Sequence, residues 1–265
     1  MNDKFFKVKI YQVDAFTDKV FKGNPAAVVP LEQWLPINTM QQIAAENNLA
    51  ETAFFVKEDE HYHIKWFTPT VEIELCGHAT LASAFVLYHY LGYDQDEIHF
   101  TCQVGDLVVK KEGDYITLNF PSDGGVEIED VSALEKHLGV KALNVKMGRT
   151  KYLVEVDSEE IIRNYQPDFH KIKNIEKQVI LTAKGNDVDF VSRFFAPNSG
   201  VDEDPVTGSA HCVLIPYWAG KLNKQELTAM QLSARTGFLK CKNLKDRVEM
   251  SGKAVCYLTG EIFID

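Results

Sequence analysis

The chain has 265 residues, 45% hydrophobic and 25% charged, enough length and apolar content for one large core or two modest ones. Its 38 acidic residues against 28 basic give a formal charge of −10, and no run of Lys or Arg forms a stripe that could track phosphates. Nucleic acid and anionic membrane are therefore excluded as first expectations. No apolar stretch reaches the roughly 18–20 residues that span a bilayer; the longest, Ala79–Leu91, is interrupted by His89 and reads as a buried helix. The N-terminus, Met1-Asn2-Asp3-Lys4-Phe5-Phe6, alternates into a strand rather than forming a leader, so the expected location is cytoplasmic. Five cysteines are an odd number with no C-x-x-C pair, which suggests neither a disulfide framework nor a zinc site.

In chain order, Val8–Phe16 alternates apolar and polar residues, Gly23-Asn24-Pro25 marks a turn, and Ala26–Val29 is a second short apolar run, together reading as paired strands. Thr39-x-x-Gln42 resembles a capping box opening a helix through about Asn47. Strand character returns at Thr52–Val56 and Tyr62–Phe67 around an acidic turn. Pro121–Gly125 interrupts the pattern and predicts the division between two halves, 1–121 and 122–265, with the last strand free to cross back to the first half. In the second half Ser132-x-x-Glu135 repeats the capping-box pattern before Gly139 ends a helix, and strands follow at Tyr152–Val156, Val179–Thr182 and Phe190–Phe195.

The halves run through one programme. Phe67-Thr68-Pro69 precedes Cys76-Gly77-His78-Ala79 as Phe195-Ala196-Pro197 precedes Thr207-Gly208-Ser209-Ala210, and each copy enters an apolar helix, Ala79–Leu91 or Ser209–Ala219. From Pro to Gly the first copy spans eight positions and the second eleven, so the second carries a three-residue acidic insertion. A glycine at a helix start lets backbone approach a ligand, and the free first-turn N–H groups favour an anion. If the halves face each other, both starts converge on one cleft that holds a carboxylate without metal or nucleotide. Taken singly, either glycine is better explained by helix–strand packing, and it is the two matched copies together that favour anion binding.

These blocks resemble the PhzF-like (phenazine biosynthesis) isomerases, whose fold is similar to that of diaminopimelate epimerase and proline racemase. The resemblance rests on Val13–Thr17 with Gly23–Val28, Leu49–Phe54, Cys76–Thr80 and Glu203–Ala210, and it covers nearly the whole chain. It implies an α/β (α+β) fold of two pseudo-symmetric halves, each a sheet wrapped around a central helix, acting without cofactor or metal as a homodimer on a small anionic substrate. It further implies that Glu51 is the acid/base carboxylate, that His78 and Asp204 flank the substrate, and that Cys76, Gly77, Ala79, Thr207, Gly208 and Ser209 line the binding positions.

Read from the residues, Glu51 precedes the apolar run Ala53–Val56, where partial desolvation suits a carboxylate to proton transfer, although an exposed Glu at a strand entrance is the commoner case. His78 could be only a local hydrogen-bonder and Asp204 only a turn residue before Pro205. Related racemases oppose two cysteines, but Cys76 is matched here by Thr207, whose hydroxyl has no thiolate-like state near neutral pH. Cys76 reads as a buried structural thiol. Counting sixteen residues back from Phe67 gives Glu51, and from Phe195 gives Val179, so one half alone carries the carboxylate. The remaining histidines, His61 and His63 included, read as surface or core residues. A one-base isomerase is the leading expectation, with a racemase, epimerase or dehydratase and a catalytically silent binding protein as alternatives.

Overall fold

The computed structural model describes residues 6–264, so the alternation expected over residues 1–5 lies outside the described residues. The chain forms β1 (Phe6–Ala15), β2 (Asn24–Leu31), α1 (Ile37–Asn47), β3 (Glu51–Glu58), β4 (His61–Phe67), β5 (Glu72–Ile73), α2 (Gly77–Tyr90), β6 (Glu97–Cys102), β7 (Gly105–Glu112) and β8 (Tyr115–Pro121). Then come β9 (Val126–Glu127), α3 (Ser132–Leu138), β10 (Asn144–Met147), β11 (Lys151–Glu155), α4 (Glu159–Asn164), α5 (Phe169–Ile172), β12 (Gln178–Lys184) and β13 (Phe190–Ala196). A 3₁₀ turn (Pro197–Ser199) leads to β14 (Val201–Asp204), α6 (Gly208–Leu222), β15 (Glu226–Gln231), β16 (Gly237–Asn243), β17 (Arg247–Gly252) and β18 (Ala254–Ile264). There are two compact units: the chain up to Asn119 with the segment from Ser251, and Phe120–Met250. No helix among the described residues is long and apolar enough to cross a membrane.

In the first unit β1 lies antiparallel to β2 and β18, β2 parallel to β3, β3 antiparallel to β4, β4 parallel to β6, and β6 antiparallel to β7. The second unit repeats the sequence of pairings: β10 antiparallel to β11, β11 parallel to β12, β12 antiparallel to β13, β13 parallel to β15, and β15 antiparallel to β16. Each sheet buries one face against a long helix. Helix α2 is buried from His78 through Ala84 and again at Val86 and Leu87, and packs on β1, β2 and β3. Such a helix has no polar face to offer water and must lie inside. Helix α6 does the same in the second unit, where Trp218 stacks on Phe190 with ring centroids 5.9 Å apart and its indole N–H donates to Thr182 Oγ1 at 2.9 Å. Shorter helices cover the opposite faces, α1 through Met40 and Ala44, and α3, α4 and α5 through Leu138, Ile162 and Ile172.

Strand register corrects the residue counting. Thr52 pairs with Phe67 in the first unit and Val179 with Phe195 in the second, so Val179 answers to Thr52 and the counterpart of Glu51 is Gln178. Side-chain direction agrees, because alternate residues of a strand point to opposite faces. Val179, Leu181 and Ala183 enter the outer cluster, whereas Gln178 shares the α6 face with Thr182. The offset misleads because β3 and β4 join across Asp59 and Glu60, while β12 and β13 need the longer loop from Gly185 to Asp189.

Both capping boxes also require correction. Helix α1 starts at Ile37 after Pro36, which places Thr39 inside the helix rather than at its N-cap. Helix α3 starts at Ser132 itself, with Asp130 accepting from both its N–H and its hydroxyl, while Glu135 turns to the Ala142 N–H. Gly139 ends α3 in the left-handed region at φ 69°, as the sequence predicts. The three extra residues of the second repeat lengthen the short strand β5 into the 3₁₀ turn and β14, whose last residue is Asp204.

Candidate functional site

The first unit gathers Glu51, Cys76, His78 and Asn24. Glu51 opens β3 on the face shared with Ala53 and Phe55, and His78 is the second residue of α2, so the two meet where strand and helix both begin. Glu51 Oε2 lies 3.1 Å from His78 Nε2, with side-chain exposures of 17% and 6%. Neither atom has another hydrogen-bond partner among the described residues. On the other side of the ring, His78 Nδ1 faces Asn24 Nδ2 at 3.3 Å and Cys76 Sγ at 3.5 Å. An amide can present either oxygen or NH2 to that nitrogen, so Asn24 suits both the neutral and the charged ring.

Burial alone would lower the His78 pKa, but Cys76 and Glu51 press the other way, and the result is well above the ordinary histidine range. Burial pushes the Cys76 thiol up, and the Glu51 charge adds to it. The sulfur therefore stays protonated near neutrality, which leaves the carboxylate as the group that holds the imidazolium. The three side chains can each bring a ligand atom within 4.8 Å of the others. Yet the closest approaches put sulfur and carboxylate at opposite ring nitrogens, an arrangement suited to passing a proton through the ring more than to closing around one ion.

Asn24 was given no role in the sequence, where Gly23-Asn24-Pro25 marked a turn and belonged to one of the blocks that carry the resemblance. It is instead the fully buried first residue of β2. Gly23 has φ +65°, and a Cβ there would sit 2.1 Å from the Ala15 carbonyl oxygen, so glycine is required for the chain to enter β2 with Asn24 turned to His78.

The second unit brings Asp204 and Thr207 together around Gln231, another residue missed in the sequence. Thr207 precedes α6 in extended conformation, φ −112° and ψ 101°, yet its hydroxyl donates to Asp204 Oδ2 and caps no helical N–H. Gln231 is completely buried: its Oε1 accepts from the Thr207 N–H at 2.9 Å, and its Nε2 donates to the Asp204 carbonyl at 2.7 Å and to Thr207 Oγ1 at 3.2 Å. Gly208 is buried and Ser209 exposed at the start of α6. Helix α2 likewise has no side-chain cap after Cys76, and Gly77 and Ala79 lie in its first turn. The helix starts match one further way: Thr80 donates to the Cys76 carbonyl and His211 contacts the Thr207 carbonyl through Nδ1 at 2.8 Å. His211 is a core histidine, completely buried, and burial brings its pKa down to about 4. His61 and His63 flank Glu58 at 3.5 Å each on the surface.

Residues 13–260 match the family model described as phenazine biosynthesis-like protein. An uncharacterised isomerase of Pseudomonas aeruginosa is 48% identical over 97% of this chain and 98% of its own length. A PhzF family crystal structure from Enterococcus faecalis, described as a phenazine biosynthesis protein, is 47% identical, covers 98% of this chain and 100% of its own, and superposes with a TM-score of 0.95. A hydroxyproline epimerase from Agrobacterium vitis shares the fold, with a TM-score of 0.61 at 9% identity over 100% of this chain and 94% of its own.

Proposed function

Because the chain belongs to the phenazine biosynthesis-like, or PhzF, family and is an isomerase of that type, we propose that it moves a proton on a small carboxylate-bearing substrate, with Glu51 as the single acid/base and no cofactor. The observation that supports this reading is the contrast between the two units at one strand position. Glu51 stands 3.1 Å from a buried histidine, while its register counterpart is the amide of Gln178, which can neither take nor give a proton near neutral pH. One base removing a proton from one atom and returning it to another is migration rather than inversion.

In this reading Glu51 takes the proton from the carbon acid. His78 lends its charge to the carboxylate beforehand, and it offers Nε2–H to the negative charge that develops as the carbon–hydrogen bond breaks. Asp204, with the Thr207 hydroxyl fixed on it, is assigned to a polar group of the substrate, and the uncapped first turns at Gly77–Ala79 and Gly208–Ser209 to anionic groups. A two-thiol racemase fits poorly, since Cys76 is held as a thiol and the Thr207 hydroxyl is already committed to Asp204. The resemblance also assigns a homodimer, for which sedimentation at micromolar concentration is the test.

The function is tested by proton–deuterium exchange in heavy water across small amino acids, hydroxy acids and cyclic dienes. Wild type should exchange at least one of them, and Glu51→Gln should exchange it slower by roughly a hundredfold or more while still binding it. Exchange that survives the substitution undiminished would remove Glu51 from the chemistry. No exchange by wild type with binding retained would favour a silent binding protein.

A further inference from the structure

We propose that Lys151 is the charged member of a carboxylate-binding site in the second unit, completed by the Thr150 hydroxyl and the Gln178 amide. Lys151 is the first residue of β11 and only 9% exposed. Val154 and Val156 of the same segment enter the outer cluster, so Lys151, Leu153 and Glu155 point to the α6 face. At the far end of β11 the buried Glu155 carboxylate is met by Lys221 and by the Tyr217 hydroxyl from α6. Lys151 has no such partner. Its Nζ donates to Thr150 Oγ1 at 2.9 Å, and among the described residues no carboxylate comes within ion-pair distance of it. Asp123 attracts it from farther off and is engaged instead by the Arg149 N–H at 3.0 Å.

A buried ammonium with one neutral partner is costly unless something brings it a negative charge. The surroundings agree: burial draws the Lys151 pKa down against the charge of Asp123, and Cys212, itself pushed up to about 11 by burial, is a neutral thiol that brings no charge. Parallel register sets Lys151 beside Gln178, as Ala26 is set beside Glu51 in the first unit. At corresponding positions one unit therefore carries a carboxylate next to a methyl group, and the other an ammonium next to an amide. The first can move a proton; the second can hold an anion. Arg149 and Thr150 are exposed just before β11, which leaves this end of the strand open to a small solute. A single positive charge with two neutral groups balances a monoanionic carboxylate better than a phosphate dianion.

This assignment does not depend on the role of Glu51. Protein labelled with ¹³C and ¹⁵N in lysine is titrated with sodium acetate, sodium phosphate or sodium chloride at constant ionic strength, the Lys151 side-chain resonance being identified by its loss in Lys151→Met. Acetate should move that resonance saturably and raise the thermal midpoint, chloride should do neither, and Lys151→Met should weaken acetate binding by roughly tenfold or more. The exposed-surface control Lys240→Met should respond as wild type does. An unmoved Lys151 resonance, an acetate response retained in Lys151→Met, or tighter binding of phosphate than of acetate would each overturn the assignment. Should Lys151→Met fail to fold, Lys151→Gln identifies the resonance and the wild-type titration decides.

Discussion

Thr207 has one hydroxyl proton to give, and Gln231 decides where it goes. Because Gln231 Nε2 donates to Thr207 Oγ1, the hydroxyl accepts on that side and turns its own proton to Asp204. Replacing Gln231 by Leu would strand the buried Thr207 N–H, and a buried polar group left without a partner costs about 1–3 kcal/mol. Gln231→Leu should therefore lose roughly 1–3 kcal/mol in urea unfolding, whereas a midpoint within error of wild type would show that the network carries no stability. Neither Gln231 nor Asn24 was legible in the sequence, since an amide has no chemistry that a motif advertises and acquires its role from the group it faces. Glu51, His78 and Asp204 were legible only by resemblance. What the structure adds is that Glu51 meets His78, and that Asp204 meets Thr207.

At the scale of elements, the helices and strands that carry strong apolar periodicity were found within one to three residues, because burial fixes them whatever the local turn chemistry. The capping boxes misled for the opposite reason. A Ser-x-x-Glu pattern competes with every nearby donor, and here Glu135 found the Ala142 N–H, while the Thr-x-x-Gln pattern lies inside a helix that already starts at Ile37. Counting residues back from Phe195 failed because loop length differs between the repeats, whereas strand pairing preserves both register and face. The turn into β2 is the element on which the first unit's histidine depends. Gly23→Ala would force a side chain into a left-handed position against the Ala15 carbonyl, a strain of order 1–3 kcal/mol before the backbone moves. The expected outcome is lower stability together with slower exchange at Glu51, because Asn24 would no longer be aimed at His78. Equal loss of stability in Gly23→Ala with wild-type exchange would mean that the turn supports the fold but not the site.

Across the whole molecule, two buried histidines, one in each unit, bend the stability curve in opposite directions. His211 has its pKa lowered to about 4, so between pH 4 and the unfolded value of about 6.5 the unfolded chain binds the extra proton and stability rises with pH. The span corresponds to roughly 3 kcal/mol at this fully buried site, present above about pH 6.5 and lost as pH falls toward 4. His78 has the reverse sign. Its folded pKa lies well above 6.5, so its contribution is complete below that pH and disappears as pH rises through the raised value. The two limbs should meet in a maximum near pH 6.5, with Trp34 and Trp66 reporting on the first unit and Trp218 on the second. Urea unfolding at about pH 4.5, 6.5 and 8.5, followed in wild type and in Trp218→Phe, separates the two. His211→Gln should flatten the acid limb seen by Trp218 and leave the alkaline limb in place, while His78→Gln should do the converse. If His211→Gln keeps the full acid limb, the lowered histidine is not its source. A wild-type curve that stays level from pH 6.5 to 8.5 would mean that Glu51 does not hold His78 charged, and the pairing on which the proposed proton transfer depends would be absent in solution.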